Sequence, residues 1–198
     1  MINNCTKGCC KNNTNSHYIK WVIEVLGPVI LGSKPCEILN IPLKDNMRIN
    51  KLTDIEFFFS SCCKINYKII KTHDGGTRLL FINKHSLSKV LDNKKCINFL
   101  KFIGYPPNCN IDNYIDILIN KLHSIEFPHE IGIFLGYPLK DVVGFMGYGS
   151  YKFCKVRHWN VYGDPSISDI VCNNFLQDRN RMKEILISNS LDELKNII

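Results

Sequence analysis

The sequence predicts an α+β fold, with N-terminal helices, an antiparallel sheet and C-terminal helices. Three observations carry that prediction. An apolar stripe at helical spacing covers residues 17–26, a glycine-rich hairpin turn lies at 73–76, and an amphipathic run with an asparagine at its head covers 110–124.

In "HYIKWVIEVL" (17–26), Tyr18, Trp21, Val22, Val25 and Leu26 share one side of a helix. Gly27-Pro28 interrupts it, because the residue before a proline avoids the α region. Pro28 can then open a second helical stretch as its first residue. "CEILNI" (36–41) reads as a short turn of helix, and "DIEFFFSS" (54–61) and "KINYKIIKT" (64–72) read as strands. That reading puts Cys62 and Cys63 on opposite faces of a strand. In "HDGG" (73–76) the glycines supply positive φ for a tight turn, and "TRLLFIN" (77–83) returns as the partner strand.

"SLSKVLDN" (86–93) and "CINFLKFIG" (96–104) read as helices. Asn110 caps the next helix, whose apolar face is Tyr114, Ile115, Leu118, Ile119 and Leu122. "HEIGIFLGY" (129–137), bounded by Pro128 and Pro138, reads as a core strand, and Pro138 starts a helix. "YKFCKVRHWNVYG" (151–163) is a β-rich return. Asp164-Pro165 opens a long amphipathic helix, and Ser190 with Glu193 forms a capping box for the last one. "FIGYPP" (102–107) and "FLGYPL" (134–139) look alike, but one follows a helix and the other falls in a strand, so they read as coincidence.

The length of 198 residues fits one domain, placed at 17–198 behind a Cys/Asn-rich tail at 1–16. The polar start lacks an apolar signal core, and no apolar run approaches the ~18 residues of a membrane span. A cytoplasmic protein without a membrane partner is expected. Its ten cysteines should then be thiols. The tight cluster Cys5, Cys9 and Cys10 is a weak metal candidate, since zinc sites show two closely spaced ligand pairs. No metal and no other cofactor is expected.

The formal net charge of +7 suits an acidic partner. Without a basic helix, a stacking pair of aromatics in a basic setting or zinc-finger spacing, nucleic acid is not expected. The chemistry that spacing does suggest centres on His129, at the mouth of one strand, and Asp164, at the end of the next β segment. Adjacent antiparallel strands bring such ends to one sheet edge. A carboxylate there can fix the imidazole tautomer, giving the base and the orienter of a nucleophilic triad. Asp164 before Pro165 is equally a helix N-terminal cap.

"LGPVILGSKPCEIL", "FPHEIGIFLGYPLKDVVGFM" and "WNVYGDP" resemble the motifs of an uncharacterised bacterial family of anaerobes. Its pattern reads C-A-P-T-L-A-G-x-K, then H-E-I-G-x-F-L-G-Y-P, then a Y-G-D-P-like segment. The order Cys-Gly-Pro, His, Asp-Pro also resembles the papain-like superfamily, closest to peptidases that trim leader peptides, and including transacylases. That resemblance implies a papain-like fold, His129 as base, Asp164 as orienter, and Gly27, Pro28 and Trp159 along the substrate groove. The nucleophile position falls on Leu26, which cannot attack a carbonyl, and Cys36 is the substitute candidate.

The expected function is therefore handling of an acyl-thioester or peptide substrate by acyl transfer or amide chemistry, with activity placed in doubt by Leu26. The partner implied is an acidic acyl or peptidyl carrier protein or a precursor peptide. One alternative is a non-catalytic module of the same fold that binds such a partner. Another is a cysteine-rich metal-binding protein.

Overall fold

In the computed structural model, residues 16–60, 62–107 and 109–197 are described. Cys5, Cys9 and Cys10 lie outside them. The protein is mixed α+β, with ten helices and two small antiparallel sheets among the described residues.

The chain opens with α1 (Ser16–Val25) and α2 (Gly27–Leu31), the latter with Pro28 in its first turn. The buried face of α1 is Ile19, Val22 and Ile23, continued by Leu26, while Trp21 is 45% exposed. The predicted stripe is thus rotated, because isoleucines one position away outcompete Tyr18 and Trp21 for the core.

The larger sheet is built from β1 (Cys36–Ile41), β2 (Asn66–Lys71) and β3 (Thr77–Ile82), in the order β1-β3-β2, both pairings antiparallel. "CEILNI" is therefore a strand rather than a helical turn. Its pairing with β3 (Cys36 opposite Ile82, Ile41 opposite Thr77) is long-range and invisible in a local window. The β2–β3 hairpin turns as expected, with Gly75 at φ 79° and Gly75 N donating to Thr72 O. Between β1 and β2 runs α3 (Arg48–Phe59), which corrects the strand reading of "DIEFFFSS". Its buried residues Asp54, Ile55, Phe58 and Phe59 follow helical spacing. Cys62 and Cys63 lie in the connection after it, not on a strand.

Alternate residues of the central strand β3 face two different cores. Leu79 and Phe81 join Ile19, Val22, Ile23, Leu26, Ile55 and Phe59 on one side. Leu80 and Ile82 join Cys36, Leu87, Leu100, Tyr114, Leu118 and Phe134 on the other. A strand buried on both faces reads as an unbroken apolar run, as "LLFI" does. The second core is roofed by α4 (Lys84–Leu91), α5 (Lys94–Phe102) and α6 (Ile111–Leu122). Each starts on an asparagine side chain that accepts a backbone N–H: Asn83 from Ser86, Asn93 from Lys95 and Asn110 from Asn113.

The predicted core strand at 129–137 is instead a turn leading into the single-turn helix α7 (Ile131–Phe134). Gly136, at φ 78°, closes it: Gly136 N donates to Ile133 O and Tyr137 N to Gly132 O. This is a Schellman helix end, for which glycine suits the left-handed residue. The end of α5 repeats it, with Gly104 at φ 98° and Tyr105 N donating to Leu100 O. "FIGYP" and "FLGYP" are thus the same device used twice, and the likeness is structural. Next come α8 (Leu139–Phe145), the hairpin β4 (Phe153–Val156) and β5 (Asn160–Tyr162), α9 (Ser166–Ser188) and α10 (Leu191–Ile197).

The 23-residue helix α9 joins the layers. Its first half carries Cys172 and Phe175 against Trp159 and Val161, and its second half carries Met182 and Leu186 into the core of α1 and α2. Gly27 permits that contact, since a Cβ there would stand 2.8 Å from Met182 Cβ. The predicted capping box on α10 is present, with Ser190 N donating to Glu193 Oε2 at 2.6 Å and Glu193 N to Ser190 Oγ at 3.3 Å. Among the described residues no helix is long and apolar enough to cross a membrane.

Candidate ligand-binding site

Three loops deliver the side chains of the site. The first follows α2, where Gly32 (φ 95°) breaks the helix and Pro28 O accepts from both Gly32 N and Lys34 N. Lys34 is thereby turned inward and is only 7% exposed. Its Nζ meets Glu37 Oε2 at 2.7 Å and lies 5.6 Å and 5.4 Å from the ring centres of Tyr137 and Phe175. Pro35 packs on the second loop, where a Cβ on Gly136 would stand 2.6 Å from Pro35 Cδ.

That second loop presents Tyr137, whose ring stacks on Trp159 of the third, the turn between β4 and β5, with centroids 4.4 Å apart. Burial first, and the Glu37 carboxylate second, push the Tyr137 phenol up to about 12.

Beneath the stack, Asp141 of α8 is 1% exposed and accepts four hydrogen bonds. They come from Lys140 Nζ (2.7 Å), Tyr162 N (2.8 Å), Trp159 Nε1 (2.8 Å) and Ser168 Oγ (2.6 Å). Burial alone would raise its pKa; the hydrogen bonds from Lys140, Ser168, Tyr162 and Trp159 outweigh it and hold the carboxyl below its ordinary value. Lys140 Nζ also donates to Tyr162 O and Ser168 Oγ. With its four acceptor sites filled, Asp141 fastens α8, the β4–β5 hairpin and α9 together.

Beside this anchor opens a cavity of about 330 Å³. Its walls are Phe127, Ile131, Leu135, Val142, Phe145 and Trp159, with His129 and Asn160 as polar additions. His129 is exposed, with its ring centre 5.0 Å from Phe145 and 6.2 Å from Phe127. Among the described residues neither the imidazole nor the Asn160 amide has a hydrogen-bond partner, so both are free to meet a ligand.

The predicted dyad is not joined. Asp164 is exposed, and its Oδ1 accepts from Ser166 N (3.1 Å) and Ser166 Oγ (2.7 Å). It caps α9, and these bonds hold its carboxyl below the ordinary value. Leu26, at 0% exposure, lies in the core across the sheet from Ile131 and Leu135, which line the cavity with His129. Gly27 and Pro28 are the buried first residues of α2, Gly27 against α9, and do not line the cavity. Cys36 is 1% exposed in β1, and burial pushes its thiol far up, which keeps it protonated. Trp159 does line the cavity.

What the three motif stretches bring together is therefore Lys34, Tyr137, Asp141 and Trp159. Those stretches lie within the 22–195 span that matches the family described as proteins of unknown function, DUF3793. The chain belongs to the DUF3793 family. No curated protein and no solved structure matches it.

In this DUF3793 chain the sequence singled out Trp159 and His129, which line the cavity, but not Lys34, Tyr137, Asp141 or Asn160. Neither charge stands out locally: Lys34 lies between Ser33 and Pro35, and Asp141 between Lys140 and Val142, settings in which a solvated charge is ordinary. Among the described residues no group of three or more His, Cys, Asp or Glu side chains could hold a metal ion.

Proposed function

We propose that the protein is a non-catalytic binding module that receives an apolar acyl or side-chain group from a carrier protein or peptide. The cavity carries this reading. Its volume of about 330 Å³ and its aromatic and aliphatic walls suit one short chain or ring, and His129 and Asn160 stand free to hold the polar atoms next to it. A net charge of +7 favours an acidic partner.

Thiol-dependent acyl transfer, which a papain-like ancestry implies, finds less support. It needs a nucleophile beside His129. Leu26 lies across the sheet, and the Cys36 thiol is shut in the core.

Trp159 reports on the cavity, and Trp21 is the other tryptophan of two. In a Trp21→Phe protein, emission should change saturably with hexanoyl-pantetheine or N-acetyl-phenylalaninamide. Val142→Phe, which fills the cavity, should remove the response. His129→Ala should weaken binding about five- to tenfold, the worth of one hydrogen bond. An unresponsive Trp159, or a response indifferent to Val142→Phe, overturns the proposal. Release of free pantetheine thiol at a rate dependent on His129 would favour the acyl-transfer reading instead.

A further inference from the structure

The β4–β5 turn that supplies Trp159 also carries His158, and its Nδ1 lies 3.2 Å from Cys172 Sγ on α9. Cys172 is 2% exposed, among Trp159, Val161 and Phe175, while His158 is exposed. The contact is held from both sides. One turn before Cys172, Asp169 accepts from Lys155 Nζ (2.7 Å) and Arg157 Nε (2.9 Å), so the hairpin bearing the imidazole is tied to the helix bearing the thiol. Cys36 and Cys96 are also buried, but among the described residues no imidazole adjoins either. Cys63 and Cys154 are exposed and likewise lack a basic partner among the described residues.

A thiol in contact with a nitrogen base is the arrangement that activates sulfur as a nucleophile. Its burial decides the reagent: at 2% exposure Sγ is shut off from a bulky thioester or peptide, and only a reagent as small as a peroxide suits it. We propose that Cys172 and His158 form a thiol–imidazole site oxidised by small hydroperoxides. Cys172 gives its thiol proton to His158 Nδ1, and the sulfur lone pair attacks the nearer peroxide oxygen. The S–O bond to the hydroxyl oxygen forms as the O–O bond breaks, and the departing oxygen takes the proton from His158 and leaves as water from hydrogen peroxide or as the alcohol from an organic hydroperoxide. Sulfur is oxidised by two electrons to the sulfenic acid, and the peroxide is reduced. The added oxygen has no room in a 3.2 Å contact, so His158 is displaced from the sulfur.

The full chain, freed of reductant, is treated with one equivalent of hydrogen peroxide in the presence of dimedone, and each cysteine is followed by peptide mass spectrometry. The expected result is that Cys172 is labelled ahead of the more exposed Cys63 and Cys154. His158→Gln, which keeps bulk without a base, and His158→Ala should each slow Cys172 labelling, by about a hundredfold for a lost proton acceptor. Labelling of Cys63 and Cys154 should not change, and an unchanged melting temperature shows the variants folded. Labelling that follows exposure, with Cys63 and Cys154 first, overturns the proposal. So does a Cys172 rate that is unchanged or raised in both variants.

Discussion

The ring of Tyr137 lies on the indole of Trp159 with planes 18° from parallel, and the indole N–H reaches down to Asp141. One aromatic pair thereby links the loop after α7, the β4–β5 turn and the start of α8. Lys34 Nζ, 5.6 Å from the Tyr137 ring centre, brings a fourth segment of chain against the stack beside the cavity.

Asp141 should be the most sensitive polar position. Asp141→Ala strands the Lys140 ammonium and three further donors, and losing one partner of a buried pair costs about 3–5 kcal/mol. Urea unfolding at pH 7 measures this directly. Asp141→Asn keeps the shape but loses the charge, and should cost less than Asp141→Ala.

The same carboxylate gives a pH dependence of known sign. Its folded-state pKa lies below the ordinary value of about 3.9. Its contribution is therefore complete above pH ~4–5 and is lost as pH falls through the folded value. Stability measured from pH 6 down to pH 3 should fall more steeply for the natural protein than for Asp141→Asn. Equal slopes would show that the carboxylate contributes nothing.

Gly136→Ala should destabilise by about 2 kcal/mol or more. The left-handed backbone at φ 78° costs a β-carbon about 1–2 kcal/mol, and the 2.6 Å approach to Pro35 adds to it. Gly104→Ala is the internal control, because the same backbone strain at φ 98° meets no atom within 4 Å. Gly136→Ala should have the larger effect in thermal melts.

His129 and Asp164 should separate in their effects. His129→Ala should leave stability within about 0.5 kcal/mol, as for an exposed side chain without hydrogen bonds, while weakening ligand binding. Asp164→Ala should lower the melting temperature through the lost helix cap and leave binding alone. A shared binding defect would restore the dyad.

Elements announced by neighbouring residues were legible in the sequence. The asparagine cap of α6, the glycine turn between β2 and β3, and the Ser190–Glu193 box need only residues within a few positions of one another. Elements defined by distant partners were not. β1 is a strand because β3 pairs with it some forty residues on, and "CEILNI" has no helical or alternating signature strong enough to say so. "DIEFFFSS" misleads because three phenylalanines in a row favour a strand, whereas the helical period emerges only when the segment is extended back to Arg48. "HEIGIFLGY" fails for another reason. Its apolar run is short enough for either state, and only the left-handed backbone of Gly136 marks it as a helix end. The motif stretches do converge, but through Lys34, Tyr137, Asp141 and Trp159, residues whose roles depend on contacts no spacing rule encodes.

Gly27 closes against Met182 and Glu24 pairs with Arg179 at 2.9 Å, so α1 and α2 dock on a helix synthesised long after them. During translation α3 and β3 can cover part of the apolar side of α1 and α2, but the part that meets Met182 and Leu186 must wait while some 150 further residues emerge. That surface thus leaves the ribosome unfinished, and a ribosome stalled before α9 would display a sticky nascent chain that invites chaperones.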